Sequence, residues 1–309
     1  MRIAIFAAMA AFLIVAICVP EAFDSLALEF AVAYGAVRAA HIALFVLASQ
    51  DDPALRHSVA GLAMSTAAGV GLLIGASFLD GLWQGGVWVL ALLLDMVPPY
   101  LFGTEGWKLS PGHFADRHGL IVIIALGESI VAIGAGAEAN LTWGIAAAAT
   151  AGIALAAGMW WMYFDIVALV SARRLTRAAT GREQNALARD SYSYIHFLMV
   201  AGIVLVALGL KKTLADVEEP LKTVPAFALA GGLAIYLLGL VAFRWRHVHT
   251  LNRRRGGYAL VLLAAFPLAA ELPALAVVAI VTAILWAIIV YETSGYGEGR
   301  TRVRQELAH

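Results

Sequence analysis

Apolar blocks of about 20 residues recur from one end of this chain to the other, separated by short stretches in which the charges gather. A block of that length crosses the hydrocarbon core of a bilayer as a helix. Ten helices are predicted on this basis. The first five are Ile3–Val19, Leu26–Ala48, His57–Phe78, Trp83–Phe102 and His118–Gly136. The second five are Trp143–Val170, Ser191–Leu210, Val224–Phe243, Tyr258–Leu272 and Ala274–Tyr291. The last two meet in a tight hairpin around Glu271, Leu272 and Pro273. Merged into one helix, they would far exceed the ~20 residues that cross a bilayer. The fold class is therefore all-α: a polytopic integral membrane helix bundle.

Composition supports this reading. Of the 309 residues, 62% are hydrophobic and 14% charged, too few charges to cover a soluble domain of this size. Arg2 is followed by an apolar run, but Pro20 and Glu21 stand where a signal peptide would carry small residues for cleavage, so the first block reads as a spanning helix. The single cysteine, Cys18, cannot form an internal disulfide and is assigned to packing. Net charge is zero, and no nucleic-acid partner is expected.

The distribution of basic residues sets an orientation. Of the 21 lysines and arginines, 17 fall on one side of the ten-helix arrangement. They include Arg173, Arg174, Arg177, Arg182 and Arg189, then Arg244, Arg246, Arg253, Arg254 and Arg255, with further arginines near both chain ends. Only Lys211, Lys212 and Lys222 fall on the other side, and Arg38 lies inside a helix. The bias of basic loops towards the cytoplasm predicts a multi-pass protein of the bacterial cytoplasmic (inner) membrane with both termini inside. An odd number of spans would spoil this segregation.

No linker divides the helices, so residues 1–292 read as one membrane domain with a cytoplasmic tail, 293–309. A weak repeat lies within it. "SYSYIHFLMVAGIVLVALG" is comparable to "RIAIFAAMAAFLIVAICVP", and in each case the next helix carries a central tyrosine, Tyr34 or Tyr236. On this alignment residues 113–292 form a complete six-helix unit, and 1–104 a second unit lacking its first two helices.

Charged residues inside apolar blocks are the candidates for chemistry. Glu128 lies ten residues after His118, about 15 Å along the helix axis, near the middle of the bilayer. A carboxylate there costs roughly 2.5–3.5 kcal/mol on insertion scales and should face other helices or water. It either anchors helix packing or serves an ion or proton. Gly119, Gly127 and Gly134 recur on the same helix and are expected to allow close helix approach. Tyr34, Arg38 and His41 share one helical face. Arg38 keeps its charge and needs a carboxylate or an anionic ligand. By depth the candidate partners are Glu128, taken first, and Asp95. Pro98 and Pro99 follow Asp95 and should kink or break that helix, so that Asp95 and Tyr100 border an aqueous vestibule. The assigned topology carries His113, Arg117, His118, Asp165 and His196 to the cytoplasmic side. Trp160, Trp161 and Tyr163 read alternatively as an interfacial aromatic belt. No metal site is expected: His113 and His118 are five apart, off a common helical face, and His247 and His249 read as members of a solvated basic loop.

"HFADRHGLIVIIALGESIVAIG" (113–134), "CVPEAF" (18–23), "AYGAVRAAHIALF" (33–45), "WWMYFD" (160–165) and "YIHFLMVAGIVLVALG" (194–209) resemble the bacterial low temperature requirement A family, in family order and across most of the chain. The resemblance implies an integral membrane protein without implying a settled activity. The family usually opens with a helix bearing an E-L-F-F-D-L-V-F-type motif and a second helix, and neither is present here. On the repeat alignment a longer chain would be expected to be more stable in detergent.

Two functions follow from the residues. The first is a transporter or channel for an ion or small solute, with Arg38 and Glu128 at the midplane and a cytoplasmic vestibule around Asp95, Asp165 and His196. Tyr34, His41, His113, Arg117 and His118 are further candidates for ion binding or proton relay. The second is a membrane-embedded enzyme acting on a lipid or lipid-linked substrate, using His113, His118, Asp165 and His196 as acid and base. Midplane charge favours transport. No cofactor is expected; the partners are the bilayer and a small ion or solute, and a homo-oligomer is compatible with this.

Overall fold

A computed structural model describes residues 2–97, 100, 106–137 and 141–295, with side chains from residue 6 onward. Among the described residues the helices are joined by short turns and loops, and an isolated bridge between Pro220 and Pro273 is the only extended pairing. The helices are α1 (Arg2–Cys18), α2 (Ala27–Ala48), α3 (Pro53–Ala76), α4 (Gly81–Met96), α5 (Pro111–Gly136), α6 (Trp143–Phe164) and α7 (Val167–Arg177). They continue as α8 (Arg182–Ala215), α9 (Thr223–Val248), α10 (Arg253–Ala269) and α11 (Ala274–Gly295). Counting α6 and α7 as one broken span, seven spans among the described residues are long and apolar enough to cross a membrane. The chain is a multi-pass integral membrane protein.

Each predicted block is present as a helix, with its ends moved by local chemistry. The third starts at Pro53 rather than His57, because Asp52 caps it by accepting from the Leu55 amide at 3.1 Å and Pro53 needs no amide partner. The fifth begins at Pro111 and the seventh at Arg182, ahead of the apolar residues that announced them. The predicted sixth helix, Trp143–Val170, turns at Asp165 and Ile166 into α7, whose Ser171 and Leu175 are buried while Arg174 and Arg177 are exposed in its last turn. Basic groups there also suit the negative end of the helix dipole. The ninth starts at Arg253 because Asn252 accepts from the Arg255 amide at 3.2 Å. Glu271, Leu272 and Pro273 do lie in a short turn between α10 and α11, but α11 packs chiefly on α6.

The chain divides into two compact units, Met1–Lys108 and Leu109–His309. In the first, small residues bring α2, α3 and α4 together: a Cβ on Gly69 would lie 3.2 Å from the Ala91 carbonyl oxygen. Ala31, Leu73 and Ala91 form a thin core, beside which Phe23 and Phe30 stack on Trp88 with ring centroids 4.4 and 5.0 Å away. The outer faces carry exposed Phe6, Met9, Phe12 and Leu13, which only a lipid environment suits. As described, α4 has 16 residues, about 24 Å at the helical rise and short of a hydrocarbon core of about 30 Å. Pro98, Pro99 and Phe102 lie outside the described residues.

In the second unit α5, α6, α8, α9 and α11 surround a larger core that includes Leu155, Met159, Met199, Ile203, Tyr236, Phe243 and Leu285. Glycine permits close approach between α8 and α9. A Cβ on Gly202 would lie 2.7 Å from both the Gly232 carbonyl oxygen and the Tyr236 amide nitrogen. On α5 the expected glycine face is not used in this way. Gly127 and Gly134 meet open space and Gly119 only the ring of Phe164, whereas Gly136 sits where a Cβ would be 2.5 Å from the Lys211 carbonyl oxygen. Thr282 and Trp286 tie α11 to α6 by donating to the Ala151 and Ala154 carbonyls at 3.1 and 2.9 Å.

Candidate functional site

In the first unit, Arg38 stands midway along α2 and Thr66 midway along α3, while Asp95 occupies the last turn of α4. The three helices bring these side chains together with Tyr34, one turn before Arg38. Arg38 Nη2 donates to Asp95 Oδ1 at 2.6 Å and to Thr66 Oγ1 at 2.8 Å. Thr66 Oγ1 in turn donates to Asp95 Oδ1 at 3.0 Å, and the Tyr34 hydroxyl donates to Oδ2 at 2.7 Å. Arg38 and Asp95 are each 19% exposed. The carboxylate thus accepts three side-chain hydrogen bonds. The buried Arg38 Nε finds no acceptor among the described residues. An ion pair in this setting is held by charge-assisted bonds, and the unmet Nε–H leaves the guanidinium short of acceptors.

This geometry decides the partner of Arg38. Of the two carboxylates proposed by depth, Asp95 is the one bonded to it. Glu128, taken first, is exposed on α5. His41 lies on the same face of α2 as Arg38 but is exposed and packs its ring on Phe45 at 4.6 Å. Thr66 was not anticipated. It is one of two adjacent hydroxyls in a run of small residues, "STAAGVG", and nothing local separates it from Ser65 beside it, which donates to its own helix at the Leu62 carbonyl.

The second unit holds a different polar cluster, built on aromatic rings. His118 on α5 meets His196 and Tyr192 on α8, each with a centroid 5.2 Å away. The Tyr163 hydroxyl lies 3.2 Å from His196 Nε2, and His247 on α9 stands at right angles to Tyr192, 5.8 Å away. Residues Ala188–Ile195 of α8 are π-helical. Such a bulge re-aims side chains within a helix and is frequent at functional sites. Here it carries buried Ser191 and Tyr192, whose hydroxyls have no hydrogen-bond partner among the described residues, and neither has His247 Nε2. The Nδ1 atoms of His118 and His247 each lie 2.8 Å from the carbonyl one turn earlier, Phe114 and Phe243. That contact requires an Nδ1–H, so in the neutral ring Nε2 is the acceptor.

Several expectations change here. His247 is 2% exposed inside α9, not part of a solvated loop, because the helix continues past Phe243 to Val248. Tyr163 is 1% exposed and belongs to the core instead of an interfacial belt, whereas Trp160 is 46% exposed. Asp165, buried at the end of α6, and His196 are both enclosed, but His113 and Arg117 are exposed on the first turns of α5. Tyr236, matched with Tyr34 in the repeat alignment, has a different role: fully buried, it donates to the Met159 carbonyl at 2.6 Å. A second ion pair also went unseen in the sequence. Arg255 grips Glu292 through Nε at 2.9 Å and Nη2 at 2.5 Å, and Asn252 Nδ2 donates to the same carboxylate at 2.9 Å.

A groove of about 680 Å³ opens beside the histidine cluster. Tyr163 and Tyr192 line it together with Gly119, Leu120, Phe164 and Leu169, and Asp116 and Arg173 are its charged residues.

An uncharacterized protein of Rhizobium meliloti (strain 1021), RA0937, is 28% identical over 250 residues, covering 77% of this chain. The chain spans 60% of the length of that relative. No solved structure is a significant match. The Bacterial low temperature requirement A protein (LtrA) family matches residues 1–290. The quoted motifs, the apolar helices and this match over nearly the whole chain agree: the protein belongs to the bacterial low temperature requirement A family.

Proposed function

We propose that the protein is a transporter or channel for an ion or small solute in the bacterial inner membrane, with both termini cytoplasmic. The observation that carries this reading is the Tyr34–Arg38–Thr66–Asp95 quartet, a charged cluster set among apolar helices. Intramembrane charge is expensive and usually marks a pathway. The quartet sits where α4 ends after 16 residues, and helices that stop inside the bilayer are a recurrent way of building midplane solute sites. Within the second unit, His118, His196 and Tyr192 are candidates for proton relay. Glu128, exposed on α5, is a further candidate for ion or proton binding in the second unit. The test is flux in proteoliposomes across a panel of monovalent ions and small neutral solutes. The purified chain should carry at least one of them, and Arg38→Met should lose it. Absence of flux for the whole panel in well-folded protein would remove the reading.

A second reading is an enzyme acting on a lipid or lipid-linked substrate. One observation favours it: the groove between α5, α6, α7 and α8 is apolar enough for an acyl chain and is bordered by Asp116, Arg173 and two tyrosines. Turnover of lipid in mixed micelles, lost in His118→Ala and His196→Ala, would support it over transport.

A further inference from the structure

We infer that the position occupied by the Asp95 carboxylate is an anion-binding site, and that the transported species is a small monovalent anion, with Asp95 as its tethered competitor. The inference rests on the transport reading for its meaning, but the binding it predicts is measurable without flux. Among the described residues, each side chain bonded at this position is a donor towards it. Arg38 Nη2 and Thr66 Oγ1 meet one carboxylate oxygen at 2.6 and 3.0 Å, and the Tyr34 hydroxyl meets the other at 2.7 Å. A guanidinium and two hydroxyls converging on two oxygens is a carboxylate receptor, occupied by a carboxylate of the chain itself.

A cation fits poorly. Hard cations need several oxygens with free lone pairs, whereas both oxygens of Asp95 are already engaged and a fixed positive charge stands beside them. The buried Arg38 Nε, without an acceptor among the described residues, is a further donor that a bound anion or its water could use.

The donors and the carboxylate are also held differently. Arg38 and Thr66 stand mid-helix, where backbone hydrogen bonds fix them on both sides. Asp95 is in the last turn of α4, next to the negative end of its own helix dipole, where a carboxylate is disfavoured. A free anion can accept the same three donors without belonging to that helix end. Side-chain rotation of Asp95 would vacate the receptor, and its return would expel the solute.

Chemical rescue in the purified full chain tests this directly. Asp95→Ala should melt at a lower temperature than the wild type, and sodium formate should restore the loss saturably. Sodium gluconate at equal ionic strength should not, because it is too large for the vacated volume. Asp95→Ser, which also vacates the carboxylate position, provides the same comparison if the alanine variant does not fold. Arg38→Gln combined with Asp95→Ala should show no response to formate. In liposomes, Asp95→Asn should pass formate several-fold faster than the wild type. Equal stabilisation of wild type and variants by formate, or no response of either Asp95 variant, would overturn the inference. Rescue without flux would keep the anion site and remove transport. Cation flux in the wild type without rescue would keep transport and remove the anion site.

Discussion

Arg38 is the residue on which the first unit turns, because its charge is set among apolar helices with one carboxylate to answer it. Breaking a fully buried ion pair from one side typically costs about 3–5 kcal/mol, as the other charge is left uncompensated, and this partly buried pair, 19% exposed on each side, should cost less than that upper range. Arg38→Met should therefore lower the melting temperature sharply, and Arg38→Met with Asp95→Leu should recover most of that loss while remaining inactive. If the double variant is as unstable as the sum of the singles, the pair contributes nothing. Thr66→Val removes a hydroxyl that accepts from Arg38 and donates to Asp95, and should cost about 1–3 kcal/mol in the same melting assay. The sequence identified Tyr34, Arg38 and Asp95 because helical spacing and depth are visible in one dimension. It ranked Glu128 ahead of Asp95 because depth alone does not say which helices touch. Thr66 and His247 were missed for opposite reasons: one is a common residue in a bland run, and the other follows arginines that suggested a loop.

Helix approach rests on glycine at a few places, and those places are testable. Gly202→Val would push its side chain into the backbone of Gly232 and Tyr236, atoms that cannot shift without moving α9. Overpacking of this kind typically costs about 1–3 kcal/mol, and the variant should melt correspondingly lower. Gly134→Ala meets nothing within 4 Å and should be neutral or gain up to about 1 kcal/mol from helix propensity. The contrast explains what was legible at this scale. The ten apolar blocks are a property of composition along the chain, and each became a helix. Which glycine faces a neighbour depends on pairing, so the glycines chosen on α5 by their spacing differ from the one that is used, Gly136. The α6–α7 break at Asp165 and the π-helical turn around Tyr192 were also invisible. Both depend on tertiary packing, which periodicity does not record.

For the molecule as a whole, the arrangement of basic residues predicts the orientation proposed above. Reporter fusions after Gly181 and after Leu251 should read cytoplasmic, and one near Asp216 external; reversal of any of the three would overturn the orientation and the depths that follow from it. The central claim is that the Arg38–Asp95–Thr66–Tyr34 quartet is visited by solute instead of being a sealed structural pair. Thr66 is 3% exposed, so a cysteine in its place reacts with a small charged thiol reagent only if the site opens to water. The measurement is labelling of Thr66→Cys, with Cys18 replaced by alanine, in sealed membrane vesicles. The account predicts labelling from the aqueous phase, slowed by formate. Absence of labelling from either side in folded protein, with full labelling after denaturation, would contradict it and leave the quartet as a structural brace.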